Sequence, residues 1–326
     1  MVLNVAVIGT GNMGRNHIRT YSEIDDAKLV AISDVIEDRG KGLAEKFGCR
    51  FYKDYNEMFK KEKIDIVSIC VPTFLHKKVA KDVISHGVNF LIEKPIARNV
   101  EEGEEIVKLA RKKGLKMTVG HIERFNPAVQ KLKAMIDEGK LGNITSVLAR
   151  RVGIFPPQIK DANVVIDLAV HDIDVINYLL GKSPDKVYAG LGKALIEKRH
   201  DYANIFLKYN GANAFIEVNW ITPVKIRRLS VTGTKGYAEL NYITQELIYY
   251  ESIYDKFCDD FGDFVINFGE PNITKVNIKK EEPLKVELKH FIDCIENNKE
   301  PIVTGEQALE ALRVSEMALN SNGCCQ

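Results

Sequence analysis

The sequence predicts an α/β chain: a doubly wound parallel sheet over residues 1–122, then an α+β domain with a mainly antiparallel, open sheet over residues 123–326. Three observations predict it. Asn4-Val5-Ala6-Val7-Ile8 is a β-branched apolar run that enters a glycine-rich turn, Gly9-Thr10-Gly11-Asn12-Met13-Gly14. Up to about residue 120, strand-like and helix-like stretches alternate, as in a parallel sheet covered by crossover helices. After His121 strands follow one another, with the hairpin signal Asn210-Gly211 between two of them.

The opening turn fits G-x-G-x-x-G. Gly9 suits the tight turn, Gly11 lets a pyrophosphate approach the backbone, and Gly14 lets the next helix pack on the strand. Phosphates are expected at that helix's N-terminus, beside Asn12 and Met13, where free N–H groups and the helix dipole favour anions. The glycines alone also fit an ordinary turn. The context decides: a helix-like stretch follows at 16–22, and Leu29-Val30-Ala31-Ile32-Ser33-Asp34 is a second strand ending in an acid 20 residues after Gly14. Asp34 is placed to bind ribose hydroxyls and to repel a 2′-phosphate, so the expected cofactor is NAD rather than NADP; nearby Arg39 works against that repulsion.

Helices are expected at 37–47, 56–61, 76–85 and 101–113, and strands at 49–51, 64–71, 88–92 and 116–119. Ligands of such a sheet lie beyond the strands' carboxyl ends. Pro72-Thr73, Glu93-Lys94-Pro95 and Gly120-His121 fall at those ends and are expected to line one crevice, with His17 and His76 next to the cofactor loops. A helix at 127–138 opens the second domain, and strands are expected at 144–152, 186–192, 203–209, 214–220, 228–233 and 237–242. Residues 254–283, rich in charge, Gly and Pro, receive no element, and helices at 284–297 and 305–320 close the chain, the last of them packing back on the first domain.

Residues 166–180 read as an apolar helix in which Asp167, His171, Asp174 and Tyr178, at i, i+4, i+7 and i+11, form one stripe. The stripe is either a solvated face or the seat of a general base, its imidazole oriented by a carboxylate.

Composition removes several classes. The 46 basic and 45 acidic residues give no electrostatic case for a nucleic-acid partner. No apolar run approaches the ~20 residues of a membrane span, and the first residues, entering a strand at once, are read as leaving no room for an export signal. The six cysteines show no metal-ligand spacing, so no metal is expected and reduced thiols in a cytoplasmic protein are; Cys324-Cys325 is read as a frayed tail.

Four features then resemble the glucose–fructose oxidoreductase/inositol dehydrogenase family across nearly the whole chain: Gly9–Gly14, Val71-Pro72-Thr73 with His76, Glu93-Lys94-Pro95, and Asp167-x-x-x-His171-x-x-Asp174. Ala169 stands where that family often has Gly. The resemblance implies a nicotinamide-dependent oxidoreductase with a Rossmann domain, a substrate site between the domains, and a cis peptide before Pro95. It makes Lys94 the active-site lysine, His171 the general acid/base and Asp167 its acidic neighbour. A homodimer or homotetramer is expected, built on an outer sheet face where residues such as Phe215 lie opposite Val218.

Gly120-His121-Ile122-Glu123-Arg124-Phe125-Asn126-Pro127-Ala128-Val129 resembles the subgroup that oxidises nucleotide-linked amino sugars, the UDP-N-acetylglucosamine 3-dehydrogenases. By that resemblance Arg124 or Asn126 contacts the sugar or its pyrophosphate, the alternative being a hinge salt bridge and a helix N-cap; His121 is either a cleft residue or a structural hydrogen-bonder. Arg150-Arg151 is a further source of charge for a diphosphate. The expected substrate is a sugar or nucleotide sugar, with a free polyol such as inositol, or NAD sensing without turnover, as alternatives.

Overall fold

The computed structural model describes residues 2–155, 162–258 and 264–321. The chain forms two compact units, Met1–Phe125 with Glu281–Arg313, and Asn126–Lys280 with Val314–Gln326. The second domain expected over 123–326, with its last helix packing back on the first, is therefore corrected in extent: the whole stretch Glu281–Arg313 belongs to the first unit.

In the first unit, β1 (Leu3–Ile8), β2 (Ala27–Ser33), β3 (Arg50–Tyr52), β4 (Ile66–Ile69), β5 (Asn89–Ile92) and β6 (Met117–Val119) make one sheet of order β3-β2-β1-β4-β5-β6, parallel throughout. The connecting helices are α1 (Asn12–Ser22), α2 (Glu37–Phe47), α3 (Tyr55–Lys61), α4 (His76–Ser85) and α5 (Val100–Lys112). Buried β-branched runs such as Val5, Val7, Ile66 and Val67 suit strands covered on both faces. Leu3, Val5 and Val7 share one core cluster with Ile18 and Tyr21 of α1 and with Leu284, Leu288, Phe291 and Ile292. Those last four, at i, i+4, i+7 and i+8, are the apolar stripe of α8 (Pro283–Glu296).

The second unit begins with α6 (Pro127–Asp137), β7 (Ile144–Val152) and α7 (Val170–Leu180). There follow β8 (Lys186–Gly192), β9 (Tyr202–Tyr209), β10 (Ala212–Asn219), β11 (Ile226–Gly233), β12 (Gly236–Asn241), β13 (Glu246–Glu251), β14 (Tyr254–Cys258), β15 (Phe264–Phe268) and β16 (Asn272–Lys275). Eight strands pair in the order β16-β13-β12-β11-β7-β10-β9-β8, antiparallel except for β10 against β7. β14 and β15 form a separate ribbon within the stretch that received no element from sequence. Helices α6 and α7 pack on one face of the large sheet, over residues such as Val147, Ala149, Ala214 and Ile216, all buried. The alternate residues Leu148, Tyr188 and Phe215 face outward and are half exposed. The last helix, α9 (Gly305–Asn320), begins in the first unit and ends in the second. Cys324-Cys325 lies outside the described residues. Among those residues no helix is long and apolar enough to cross a membrane.

Candidate active site

The glycine turn has the geometry a dinucleotide needs. Gly9 has φ +92°, and a Cβ on it would lie 2.5 Å from the Cys70 carbonyl oxygen. A Cβ on Gly14 would lie 1.9 Å from the Gly9 oxygen, so α1 rests directly on the strand end. Gly11 differs: a Cβ there would meet nothing within 4 Å. Gly11 is also the N-cap of α1 and no side chain caps that helix, which leaves its first N–H groups for a ligand in open space. Asn12 is exposed and Met13 half-buried beside that space. These residues fit the pyrophosphate of NAD.

Asp34 stands one residue beyond β2. Its Oδ1 accepts from Ile36 N at 2.8 Å, and its Oδ2 accepts from Thr10 N and Thr10 Oγ1, both at 2.7 Å, and from Arg39 Nη2 at 2.9 Å. Burial raises its pKa, but the hydrogen bonds from Thr10, Ile36 and Arg39 outweigh that and hold the carboxyl below its ordinary value. It is an anion in place for a ribose. The Arg39 guanidinium pairs with it, as its place in the sequence suggested, and works against the repulsion of a 2′-phosphate.

The strand-end loops are tied together from below. His76 is buried, with Nδ1 2.9 Å from the Pro95 carbonyl and Nε2 3.0 Å from the Val71 carbonyl. It joins the 72–75 turn to the Lys94-Pro95 peptide, which is cis as the resemblance implies. His76, expected beside the cofactor, has both ring nitrogens against carbonyls and clamps the two loops. Burial lowers its pKa, with the carbonyls opposing. Glu93 was also expected at the cofactor. Its carboxylate is buried against His17 Nε2 at 2.9 Å and against Gly120, where a Cβ would lie 2.9 Å from Oε2. Pro72 and Thr73, exposed and half-buried, and Lys94, half-buried, stand at the rim. His121 follows β6 and is buried.

Arg124 and Asn126 take the structural side of their alternatives. The Arg124 guanidinium is buried and donates from Nη1 to the Ile302 carbonyl at 3.1 Å and to Gln307 Oε1 at 2.7 Å. Asn126 caps α6 by accepting from Ala128 N, and its amide donates to the Tyr242 carbonyl at 3.0 Å. Of the sugar contact and the structural role that the sequence left open, these bonds are those of a strut and a cap. Arg150 and Arg151 part company because neighbours on a strand face opposite ways. Arg150 meets Glu217 in an exposed pair. Arg151 is buried in a two-pronged pair with Asp172, Nε to Oδ2 at 2.8 Å and Nη2 to Oδ1 at 3.0 Å. Arg151 is thus committed to Asp172, while Arg150 stays at the surface.

In the second unit the helix expected at 166–180 starts wide: Val165–Ala169 is a π-turn that leads into α7. Asn163 Oδ1 accepts from the amides of Val165 and Ile166 and fixes its start. A π-turn bonds i to i+5 and recurs at functional sites. It breaks the expected stripe: Asp167, His171 and Tyr178 are half-buried, whereas Asp174 is buried. Asp172, beside His171, is gripped by Arg151, so the turn that carries the histidine is anchored to β7.

Sequence reasoning missed Thr10, Tyr21, Ser68 and Asp172. Ser68 had a legible signal, a lone hydroxyl in the fully buried strand Ile66-Val67-Ser68-Ile69.

Residues 3–121 match an oxidoreductase family with an NAD-binding Rossmann fold, and residues 129–239 match the Gfo/Idh/MocA C-terminal domain. A UDP-N-acetylglucosamine 3-dehydrogenase of Acidithiobacillus ferrooxidans is 28% identical over 296 residues, 90% of this chain and 88% of that one. A solved structure of the enzyme of that name and organism superimposes with a TM-score of 0.87 at 25% identity, covering 98% of this chain and 97% of that one. A scyllo-inositol 2-dehydrogenase (NAD(+)) of Bacillus subtilis is 28% identical over 330 residues, 97% of this chain and 93% of that one. Consecutive parts of one family thus match both halves of a chain that runs nearly the full length of its relatives, and the protein belongs to the Gfo/Idh/MocA family as an NAD-binding oxidoreductase.

Proposed function

We propose that the protein is an NAD-dependent dehydrogenase that oxidises a secondary hydroxyl of a nucleotide-linked amino sugar, the 3-hydroxyl of UDP-N-acetylglucosamine. The supporting observation is the likeness to the Acidithiobacillus enzyme over about nine-tenths of both chains. The segment 120–129, which suggested that subgroup, lends less support, because Arg124 and Asn126 already have partners within the chain.

NAD, when bound, accepts the hydride at its nicotinamide ring. The alcohol then loses a hydride and a proton together, since a protonated ketone is too high in energy to form first. The Lys94 ammonium donates a hydrogen bond to the reacting oxygen and stabilises the negative charge that develops on it. His171 takes the proton and releases it to water, and Asp167 orients the imidazole. Gly9, Gly11, Asn12, Met13 and Gly14 hold the pyrophosphate, Asp34 the ribose, and Pro72 and Thr73 line the cofactor.

The equal identity of the Bacillus inositol enzyme gives a second reading, oxidation of a free polyol. Initial rates of NADH formation separate the two. UDP-N-acetylglucosamine should exceed free N-acetylglucosamine and the inositols by about 10²-fold or more in kcat/KM, because the nucleotide adds binding realised in the transition state. An inositol turned over as well overturns the nucleotide-sugar reading, and no turnover with any of them leaves NAD binding alone.

The working form is proposed to be a homodimer or homotetramer in which a second copy covers the outer sheet face. That face forms an open depression of about 1130 Å³ lined by Leu148, Tyr188, Phe206 and Phe215 with Arg150, Glu217, Arg228 and Glu239. An apolar centre with both signs of charge is self-complementary under two-fold symmetry. Light scattering at micromolar concentration should show the oligomer, and Phe215→Glu should shift it to monomer; a monomeric wild type refutes the assembly.

A further inference from the structure

Beneath the Glu93-Lys94-Pro95 loop runs a continuous row of buried polar groups. Tyr21 Oη lies 2.9 Å from Ser68 Oγ, Ser68 Oγ 3.0 Å from His17 Nδ1, and His17 Nε2 2.9 Å from Glu93 Oε1. The Lys94 amide donates to Glu93 Oε2 at 3.3 Å. The four side chains are nearly inaccessible to water, and they come from α1, β4 and the end of β5.

One placement of protons satisfies the whole row. Tyr21 donates to Ser68, Ser68 donates to His17 Nδ1, and the His17 Nε2–H and the Lys94 amide both donate to the carboxylate. Burial raises the Tyr21 phenol, with Ser68 opposing, which keeps it a donor at the far end. Gly120 walls the carboxylate on its other side, where any larger residue would meet it. Glu93 is thus held from two directions, and losing either leaves a buried charge short of partners. Cys70 Sγ comes within 4.8 Å of the His17 and Glu93 ligand atoms, a spacing that also suits a metal. Burial, then the nearby carboxylates of Glu93 and Glu287, drive the Cys70 thiol well up, so it is no thiolate, and His17 and Glu93 are already bonded to each other.

We propose that His17, backed by Ser68 and Tyr21, is a positioning residue for Lys94: it locks the Glu93 carboxylate, and the carboxylate fixes the Lys94 backbone where the chain leaves β5. The inference rests on the role proposed for Lys94. Its physical force is that a displacement of about 1 Å in a reacting group can cost about 10²-fold in rate.

The test compares His17→Leu, which removes both bonds at similar volume, with His17→Gln, which keeps an N–H donor toward Glu93. In the full-length enzyme with NAD and UDP-N-acetylglucosamine, His17→Leu should lower kcat by about 10–100-fold with KM and the NAD dissociation constant changed less than about threefold, and raise the deuterium isotope effect on kcat. His17→Gln should recover most of the loss. Ser68→Ala, which deletes one hydroxyl of the same row, should lower kcat by about three- to tenfold and serves if His17→Leu does not fold. Lys94→Ala is measured alongside. If it keeps wild-type turnover, the catalytic reading fails; if it loses turnover while His17→Leu and Ser68→Ala keep theirs, only the positioning role fails. A loss confined to stability or NAD affinity, unrescued by Gln, also overturns it.

Discussion

The two sheets solve opposite problems. The parallel sheet of the first unit is covered on both faces, so its central strands are mostly apolar and its candidate site residues lie at strand ends, on the turns after β1, β4, β5 and β6. The sheet of the second unit is covered on one face only, so it carries its candidate acid/base on a helix laid over that face and leaves Leu148 and Phe215 on the other. A sheet buried on both sides positions groups by where its strands stop. A one-sided sheet positions them by what rests on it, and keeps a face for a partner.

If each unit supplies one half of the chemistry, Lys94→Ala and His171→Ala should each lower single-turnover hydride transfer by about 10²–10⁴-fold with NAD binding little changed. The double variant should lose far less than the product, because groups that act on one hydroxyl are not additive. Wild-type chemistry in either variant would remove that residue from the reaction.

The contrast between faces is sharpest on β7. Arg151→Met strands the buried Asp172 and should cost about 3–5 kcal/mol in urea unfolding, whereas Arg150→Ala, in its exposed pair, should cost about 0–1 kcal/mol. Equal costs would mean that the two faces are not distinct in energy.

Within the glycine turn, Gly9→Ala forces a Cβ onto the Cys70 carbonyl at positive φ and should cost about 1–3 kcal/mol of stability. Gly11→Ala should leave stability unchanged and weaken NAD by about tenfold, measured by titration, because its Cβ points into ligand space. The reverse pattern would contradict the placement of the cofactor.

The smallest effect is on pH dependence. His76 and His290 both have pKa values lowered by burial from 6.5. The unfolded chain therefore binds protons that the folded one refuses, so stability is full above about pH 6.5 and falls as pH drops below it, until the native histidines protonate too. His76→Gln should flatten that slope in melts between about pH 7 and 5; an unchanged slope would exclude His76 as a contributor.

Much of this was legible in the residues. Val5, Val7 and the glycines give the first strand and its turn because both obey local rules, periodicity and backbone freedom. β7 to β12 alternate and were legible for the same reason. The strands within 246–275 were not, since they are mostly exposed and carry little burial pattern. The Asp167–His171 pair was visible as a spacing, but not the π-turn, which depends on Asn163 and on tertiary packing. The sequence left Arg124 and Asn126 between two roles and put His76 beside the cofactor because a polar residue in a loop looks the same from sequence whether it faces a ligand or a carbonyl. Only their partners at 302, 307, 242 and 95 tell them apart.

The return of Glu281–Arg313 to the first unit has a consequence for synthesis. Val5 and Phe291, nearly the whole chain apart, share one core. On the ribosome, the six strands that emerge first cannot complete their interior until α8 appears, after almost all of the second unit has been made. The part translated first is thus among the last to close. Until then β1 and α1 expose the apolar surface that Leu288 and Phe291 later cover, the interval in which such a chain is most open to aggregation.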